Sequence, residues 1–248
     1  MKTQAWHRTL GTLAAFPVAF YSVYLLMFNG DSIGYVFPIL SFVIYLMLAV
    51  TISAGYHRLF THNSYKCNRV WHWVYGILGS ASLNSSPIHW ATVHTGHHRH
   101  SDTELDPNCT NWRYFFRFRN RTNLSIPKHC RRLFKDPMHV FFVNHSLTIF
   151  LLIAIIAGLM GPLSFLFLFA LPVSLHLISA AIHTIFAHNK AGAQNYWFME
   201  FFVPVGGDWI HKLHHENPSL SYWAVDFKFI DLGGYFINLI KVNDKQIT

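Results

Sequence analysis

The chain has 248 residues, of which 52% are hydrophobic, 17% aromatic and only 12% charged, with a formal net charge of +8. A soluble globular chain carries roughly 25% charged residues, so this composition argues against a water-soluble domain and points to membrane-spanning helices. The basic excess forms no nucleic-acid-binding motif and reads as cytosolic loops and contact with anionic headgroups, so no nucleic-acid partner is expected.

Lys2 and Arg8 precede an apolar run from Leu10 to Phe28. It is too long for a signal-peptide core and no A-x-A site follows it, which predicts a first span. Asn29 to Ser32 reads as a turn. Ile33 to Ala54 reads as a second span, long enough at about 1.5 Å per residue to cross about 30 Å of hydrocarbon. Val70 to Ile88 is apolar but interrupted by His72, Gly76, Gly79, Ser80, Asn84 and Ser85. Such polarity predicts a helix lying against the protein or at the interface and lining a cavity. Arg113, Arg117, Arg119 and Arg121 alternate with Trp112, Tyr114, Phe115, Phe116 and Phe118, the composition of a segment at headgroup level. Val140 to Met160 and Leu163 to Phe186, joined by Gly161-Pro162, are the third and fourth spans.

Lys and Arg fall 2 in residues 1–9, 12 in residues 55–137 and 5 in residues 187–248, which is the whole complement of 19. The connectors 29–32 and 161–162 hold none. The positive-inside rule then places both termini and the long middle segment in the cytosol. The expected fold is an all-α integral membrane protein forming one domain over 1–248. Its spans lie at about 10–28, 33–54, 140–160 and 163–186, under a cytosolic helical cap of 55–137 and 187–248. The cysteines Cys67, Cys109 and Cys130 form no CxxC pair and read as reduced cytosolic thiols.

Three histidine clusters land on that one face: HRLFTH (His57, His62), HTGHH (His94, His97, His98) and HKLHH (His211, His214, His215). On a helix, residues at i, i+3 and i+4 share one face within an arc of roughly 100°, so each HxxHH cluster can present three imidazoles together. His57 and His62 are five apart, about 140° on a continuous α-helix, so they serve different metals unless the helix unwinds between them. Eight histidines exceed the four to six ligands of a single zinc or iron. The Glu-x-x-His pattern of carboxylate di-iron bundles is absent after Glu104, Glu200 and Glu216, and Ser219 breaks an H-E-x-x-H motif after His215. His183 lies near the cytosolic end of the fourth run, within reach of the clusters, and is the candidate ninth ligand; His176, two turns deeper, is read as structural or cavity-lining. Asp102, Asp106, Asp208 and Glu216 flank the clusters and are candidates to accept the second N–H of ligating rings.

At these residues the sequence resembles the membrane fatty acyl desaturases of the stearoyl-CoA type, including bacterial acyl-lipid desaturases. The matching text is GYHRLFTHNSYK at 55–66, PIHWATVHTGHHRHSDTELDPN at 87–108 and GGDWIHKLHH at 206–215. The resemblance implies two Fe ions held almost entirely by histidine, O2 as co-substrate, and a cis double bond, of the delta-9 type, placed in a saturated acyl chain. Its ligands carry onto His57, His62, His94, His97, His98, His211, His214 and His215, with His183 as the ninth. Ser179 stands where the acyl-CoA branch has an Asn that reaches iron through water, and His89 stands where the family has a Glu. Asn84 and Trp90 are candidates for the wall of a narrow apolar tunnel that fixes the reacting carbons. The chain has no haem motif, flavin fingerprint or ferredoxin cysteines, so electrons are expected from a separate ferredoxin or cytochrome b5 type donor. The substrate would be an acyl lipid, acyl-CoA or acyl-ACP. Two alternatives stay open: a hydroxylase of fatty acyl, alkane or carotenoid substrates on the same scaffold, and a non-catalytic membrane metal carrier.

Overall fold

A computed structural model describes residues 4–107, 127–223 and 230–242, with side chains from residue 7 onward except at 129. The basic aromatic stretch around 112–121 lies outside the described residues. Four helices are long and apolar enough to cross a membrane: His7–Ile33, Val36–Thr61, Pro137–Leu159 and Pro162–Phe186. The chain is thus an all-α integral membrane protein, its described β structure limited to a hairpin pairing His188–Asn189 with Gly192–Ala193 and two isolated bridges.

The spans expose Phe20, Met27, Phe28, Ile39, Leu151, Ile155 and Leu159 outward, a pattern suited to lipid and unsuited to water. Inside, Ala15, Leu48, Ala157, Phe169, Val173 and Leu177 bring all four spans into one core cluster. The fourth span is the most enclosed, with 56% of its apolar window buried against 17% for the first and third. That central position explains how it can carry His176 and His183 away from lipid.

The expected turn at 29–32 is instead helical. The chain kinks at Asn29 (φ −133°), continues to Ile33 and reverses at Gly34, whose φ of +71° favours glycine. The second span also runs beyond the expected Ala54, because its last eleven residues, Thr51–Thr61, form a π-helix that carries the first histidine cluster. The interrupted apolar run becomes two helices. Asn68 caps the first, Arg69–Ala81, by accepting from Val70 N at 2.9 Å. Ser86 caps the second, Pro87–His100, by accepting from His89 N at 3.2 Å. Gly76 is needed for close packing, since a Cβ there would lie 2.1 Å from the Phe142 ring of the third span. Arg69 forms an ion pair with Asp136, which itself caps Pro137–Leu159, so the cap and the third span are tied at one point.

Candidate metal centre

The π-helix settles how His57 and His62 relate. In an i→i+5 ladder residues five apart stack on one side, and His62 N donates to His57 O at 3.1 Å. The α-helical expectation of 140° therefore fails, and both rings join one group. That group is His57, His62, His94, His98 and His214, with all five ligand atoms within 4.8 Å of one another. A second group, His97, His188, His211 and His215, meets the same limit.

Each HxxHH box is shared between the groups, in opposite senses. On Pro87–His100 the i, i+4 pair His94 and His98 enters the five-histidine group and His97 enters the other. On the short helix His211–Glu216 the i, i+4 pair His211 and His215 enters the four-histidine group and His214 crosses over. A single helical turn separates i from i+4 along the axis, while i+3 leans to the side, so one helix end can face two ions.

Three of the rings are backed by carboxylates that assign their tautomer. Asp208 Oδ2 lies 3.3 Å from His57 Nδ1, Asp106 Oδ2 lies 2.9 Å from His97 Nδ1, and Asp102 Oδ2 lies 3.1 Å from His188 Nδ1. A carboxylate accepts, so each Nδ1 carries the proton and each Nε2 presents a lone pair. Nε2 atoms within each group sit at short range to one another: His57 to His214 at 2.9 Å, His98 to His214 at 2.7 Å, His94 to His62 at 3.1 Å, and His188 to His211 at 3.0 Å. Nitrogens about 2.1 Å from one metal and at right angles to each other would lie about 3.0 Å apart. The donor sets therefore fit metal ions, and five nitrogens exceed a tetrahedral zinc site.

Burial keeps the rings neutral and ligand-ready. It pushes His94, His211 and His214 well below the usual imidazole range, with neighbouring imidazoles adding to the effect. His215 is brought down to about 3, by burial first and then by His97. Burial also acts to raise the Asp208 carboxyl, but the His57 imidazole and the Arg58 guanidinium outweigh it and hold the group at about 2.

Of the expected residues, the eight box histidines come together. His183 does not join either group: its Nε2 is 2.9 Å from the Asp208 carbonyl, and its ring packs on Trp209. The ninth ring of the two groups is His188, which lies in the hairpin after the fourth span. Ser179 is also displaced, donating to His176 O at 3.0 Å one turn below. Glu216 is exposed and pairs with Lys212 at 4.0 Å, away from any ring. Asp102, Asp106 and Asp208 stand behind rings as described. Trp90 stacks on His94 at 4.8 Å, and with Asn84, Ile52 and Val93 it lines a cavity of about 110 Å³ that touches both groups.

Sequence reasoning missed a buried knot beside the centre. Arg58 is wholly buried, pairs with Asp231 at 2.7 Å and lies 3.6 Å over the Trp223 ring. Asp231 also accepts from Trp223 N and Gly234 N, both at 2.8 Å, and it fills the space that a Cβ on Gly207 (φ +99°) would need. The knot fixes the chain around Asp208 and the third box. Its only sequence signal is a charged residue, Arg58, inside an otherwise apolar helix end.

No protein-family profile matches the chain. Individual relatives do. The Delta(9)-fatty-acid desaturase fat-7 of Caenorhabditis elegans is 30% identical, over 90% of this chain and 72% of the relative. The chain belongs to the membrane fatty acyl desaturase family. Other members of the family similar to it are the sn-1 stearoyl-lipid 9-desaturase of Anabaena variabilis, 25% identical over 72% of both chains, and the sn-2 palmitoyl-lipid 9-desaturase of Nostoc sp. (strain 36), 25% identical over 86% of this chain and 80% of the relative. Family membership and histidine geometry together make it a membrane oxidoreductase with a di-metal centre of the desaturase type.

Proposed function

We propose that the chain is an O2-dependent acyl desaturase that places a cis double bond, of the delta-9 type, in a saturated acyl chain. Two irons would be held by His57, His62, His94, His98 and His214 on one side and by His97, His188, His211 and His215 on the other. The observation that carries this reading is the cavity: its wall includes ligands of both groups, so an acyl chain inside it would lie against both metals. The relatives named for action at position 9 support the regiochemistry.

Iron supplies an oxidant able to break an aliphatic C–H bond, which redox-inert zinc does not. The protein's own residues do the positioning. Asp106, Asp102 and Asp208 hold the Nδ1 protons of His97, His188 and His57, which keeps the Nε2 lone pairs aimed inward. Trp90, Ile52 and Val93 form an apolar wall next to the rings, so proximity selects the carbons that react.

The distribution of Lys and Arg supports a cytosolic centre and cytosolic termini, with the whole chain acting as one membrane domain. The acyl group would be carried by a lipid, CoA or ACP, and electrons would come from a separate ferredoxin or cytochrome b5 type protein. Fatty-acid profiling of expressing cells tests the reading, with His97→Ala as control. Mono-unsaturated chains that vanish in the variant are expected; hydroxylated chains in their place would move the protein to the oxygenase class.

A further inference from the structure

One part of the expected cytosolic cap is not built for water. After the hairpin, Trp197–Phe201 forms a 3₁₀ helix, and Trp197, Phe198, Phe201 and Phe202 are all exposed, Phe202 at 77%. Between Lys190 and Lys212 the only charged side chains are Glu200 and Asp208, and both are buried. An apolar surface of this kind marks a site of association, and without exposed charge it offers nothing to steer a charged protein partner.

The chain that follows the aromatic helix fixes its depth. Asp208 Oδ2 lies 3.3 Å from His57 Nδ1, and Ser53 Oγ donates to Gly206 O at 2.8 Å. A Cβ on Gly206 would lie 3.0 Å from Ala49 O, and Tyr45 Oη donates to Pro204 O at 2.5 Å. From Asp208 back to Pro204 the partners thus descend the second span, roughly one turn at a time. A hydrocarbon layer of about 30 Å takes about 20 helical residues, so counted from Val36 it ends near Gly55. Ala49 is about 9 Å below that level, and Tyr45 is deeper still. Beside Tyr45 on the same span, Phe42, Val43 and Met47 are exposed as lipid-facing residues are.

No water satisfies backbone groups at such depth, so non-helical chain there needs partners from the protein. Side chains supply them. Trp209 Nε1 donates to Val203 O at 2.8 Å, and Glu200 Oε1 accepts from Val205 N at 2.9 Å and Gly206 N at 2.7 Å. Position 204 is a proline and has no N–H to satisfy. Tyr45 and Ser53 answer the carbonyls of Pro204 and Gly206.

We propose that residues 197–206 re-enter the bilayer from the cytosolic side, with Trp197, Phe198, Phe201 and Phe202 against the lipid acyl chains of that leaflet. The partner of this surface is lipid hydrocarbon. The loop leads directly into Asp208 and the third box, so it sets the height of His211, His214 and His215 over the leaflet. The inference needs only the four spans and holds whichever reaction the metals support.

The test is photo-crosslinking of the full chain in membranes of expressing cells. Phe202→p-benzoylphenylalanine places a ketone that inserts into nearby C–H bonds on illumination, and mass spectrometry of the chain identifies what it captured. The same replacement at Ile155, exposed on the third span, is the lipid reference, and at Lys212, exposed on the third-box helix, the water reference. Phospholipid adducts at position 202 should match Ile155 within about threefold and exceed Lys212 at least about tenfold, the preference of one Phe for apolar surroundings. Phe198→p-benzoylphenylalanine should give the same ordering, and a thermal melt matching the parent's reports that each variant is folded. A lipid yield at 202 and 198 no higher than at Lys212, or capture of a soluble protein in place of lipid, overturns the proposal. Either result leaves the histidine groups and the reaction assignment standing, because no turnover is measured.

Discussion

The five-histidine group is built from three helix ends, whereas the four-histidine group depends on a hairpin to bring in His188. Their outer support differs in the opposite way. Behind the five rings the Asp208 carboxylate meets His57, and the surroundings are fixed by the Arg58–Asp231–Trp223 knot. Behind the four rings two carboxylates, Asp106 and Asp102, grip His97 and His188 directly. One side therefore relies on ligand number and buried packing, the other on hydrogen-bonded orientation. The first should fail through loss of fold and the second through loss of metal.

His188→Ala should make the contrast sharpest. Metal analysis of the purified variant should fall from two irons per chain to one, with activity abolished. His183→Ala should retain both irons, and a loss of one there would reverse the assignment of the ninth ligand. Next in size is Arg58→Met, which strands Asp231 without its partner and should cost about 3–5 kcal/mol of stability. A thermal melt that recovers in the Arg58→Met, Asp231→Asn double variant would locate the loss in that pair. Asp106→Asn should lower activity or iron affinity about 10–100-fold while the melt barely moves. An unchanged iron content in Asp106→Asn would break the claim that the four-histidine side depends on orientation.

The smallest effect belongs to Glu200, which neither group uses. Burial pushes its carboxyl up to about 8, although Oε1 accepts from Val205 N and Gly206 N at 2.9 and 2.7 Å. The folded chain thus holds a proton that the unfolded chain releases near its ordinary value of 4.5. That contribution to stability is complete below about pH 4.5 and is lost as pH rises through about 8. Glu200→Gln should flatten this slope, raising the apparent Tm at pH 8 by about 2–4 °C relative to the parent, the effect of about 1 kcal/mol in a chain of this size.

The spans and the eight box histidines were legible because each rests on periodicity: long apolar runs, and imidazoles at i, i+3 and i+4. His57 and His62 were legible as ligands, but whether they share one group stayed open, since a spacing of five is read differently on a π-helix and an α-helix, and no local residue preference marks the change. His188 was passed over for His183 because position in an apolar run says which ring is near the surface and nothing about where a hairpin turns the next one. Among the carboxylates, Asp102, Asp106 and Asp208 sit behind rings and Glu216 does not, though all four flank a box. Proximity in sequence does not encode the direction of a short side chain. Asp231 had no motif at all; its role exists only once Arg58 is buried beside it.

The first and third boxes are 157 residues apart where His57 meets His214, and Arg58 reaches Asp231 across 173. Closing loops of that length comes late and contributes nothing until the final contact forms. All four spans are translated before His211–Glu216, so a chain that stops short of that helix holds two boxes and no complete site. The two histidine groups are therefore complete only on a chain whose spans are already made. Chains truncated after residue 205 and released should still enter the membrane yet bind no pair of irons, since His211, His214 and His215 are missing from them.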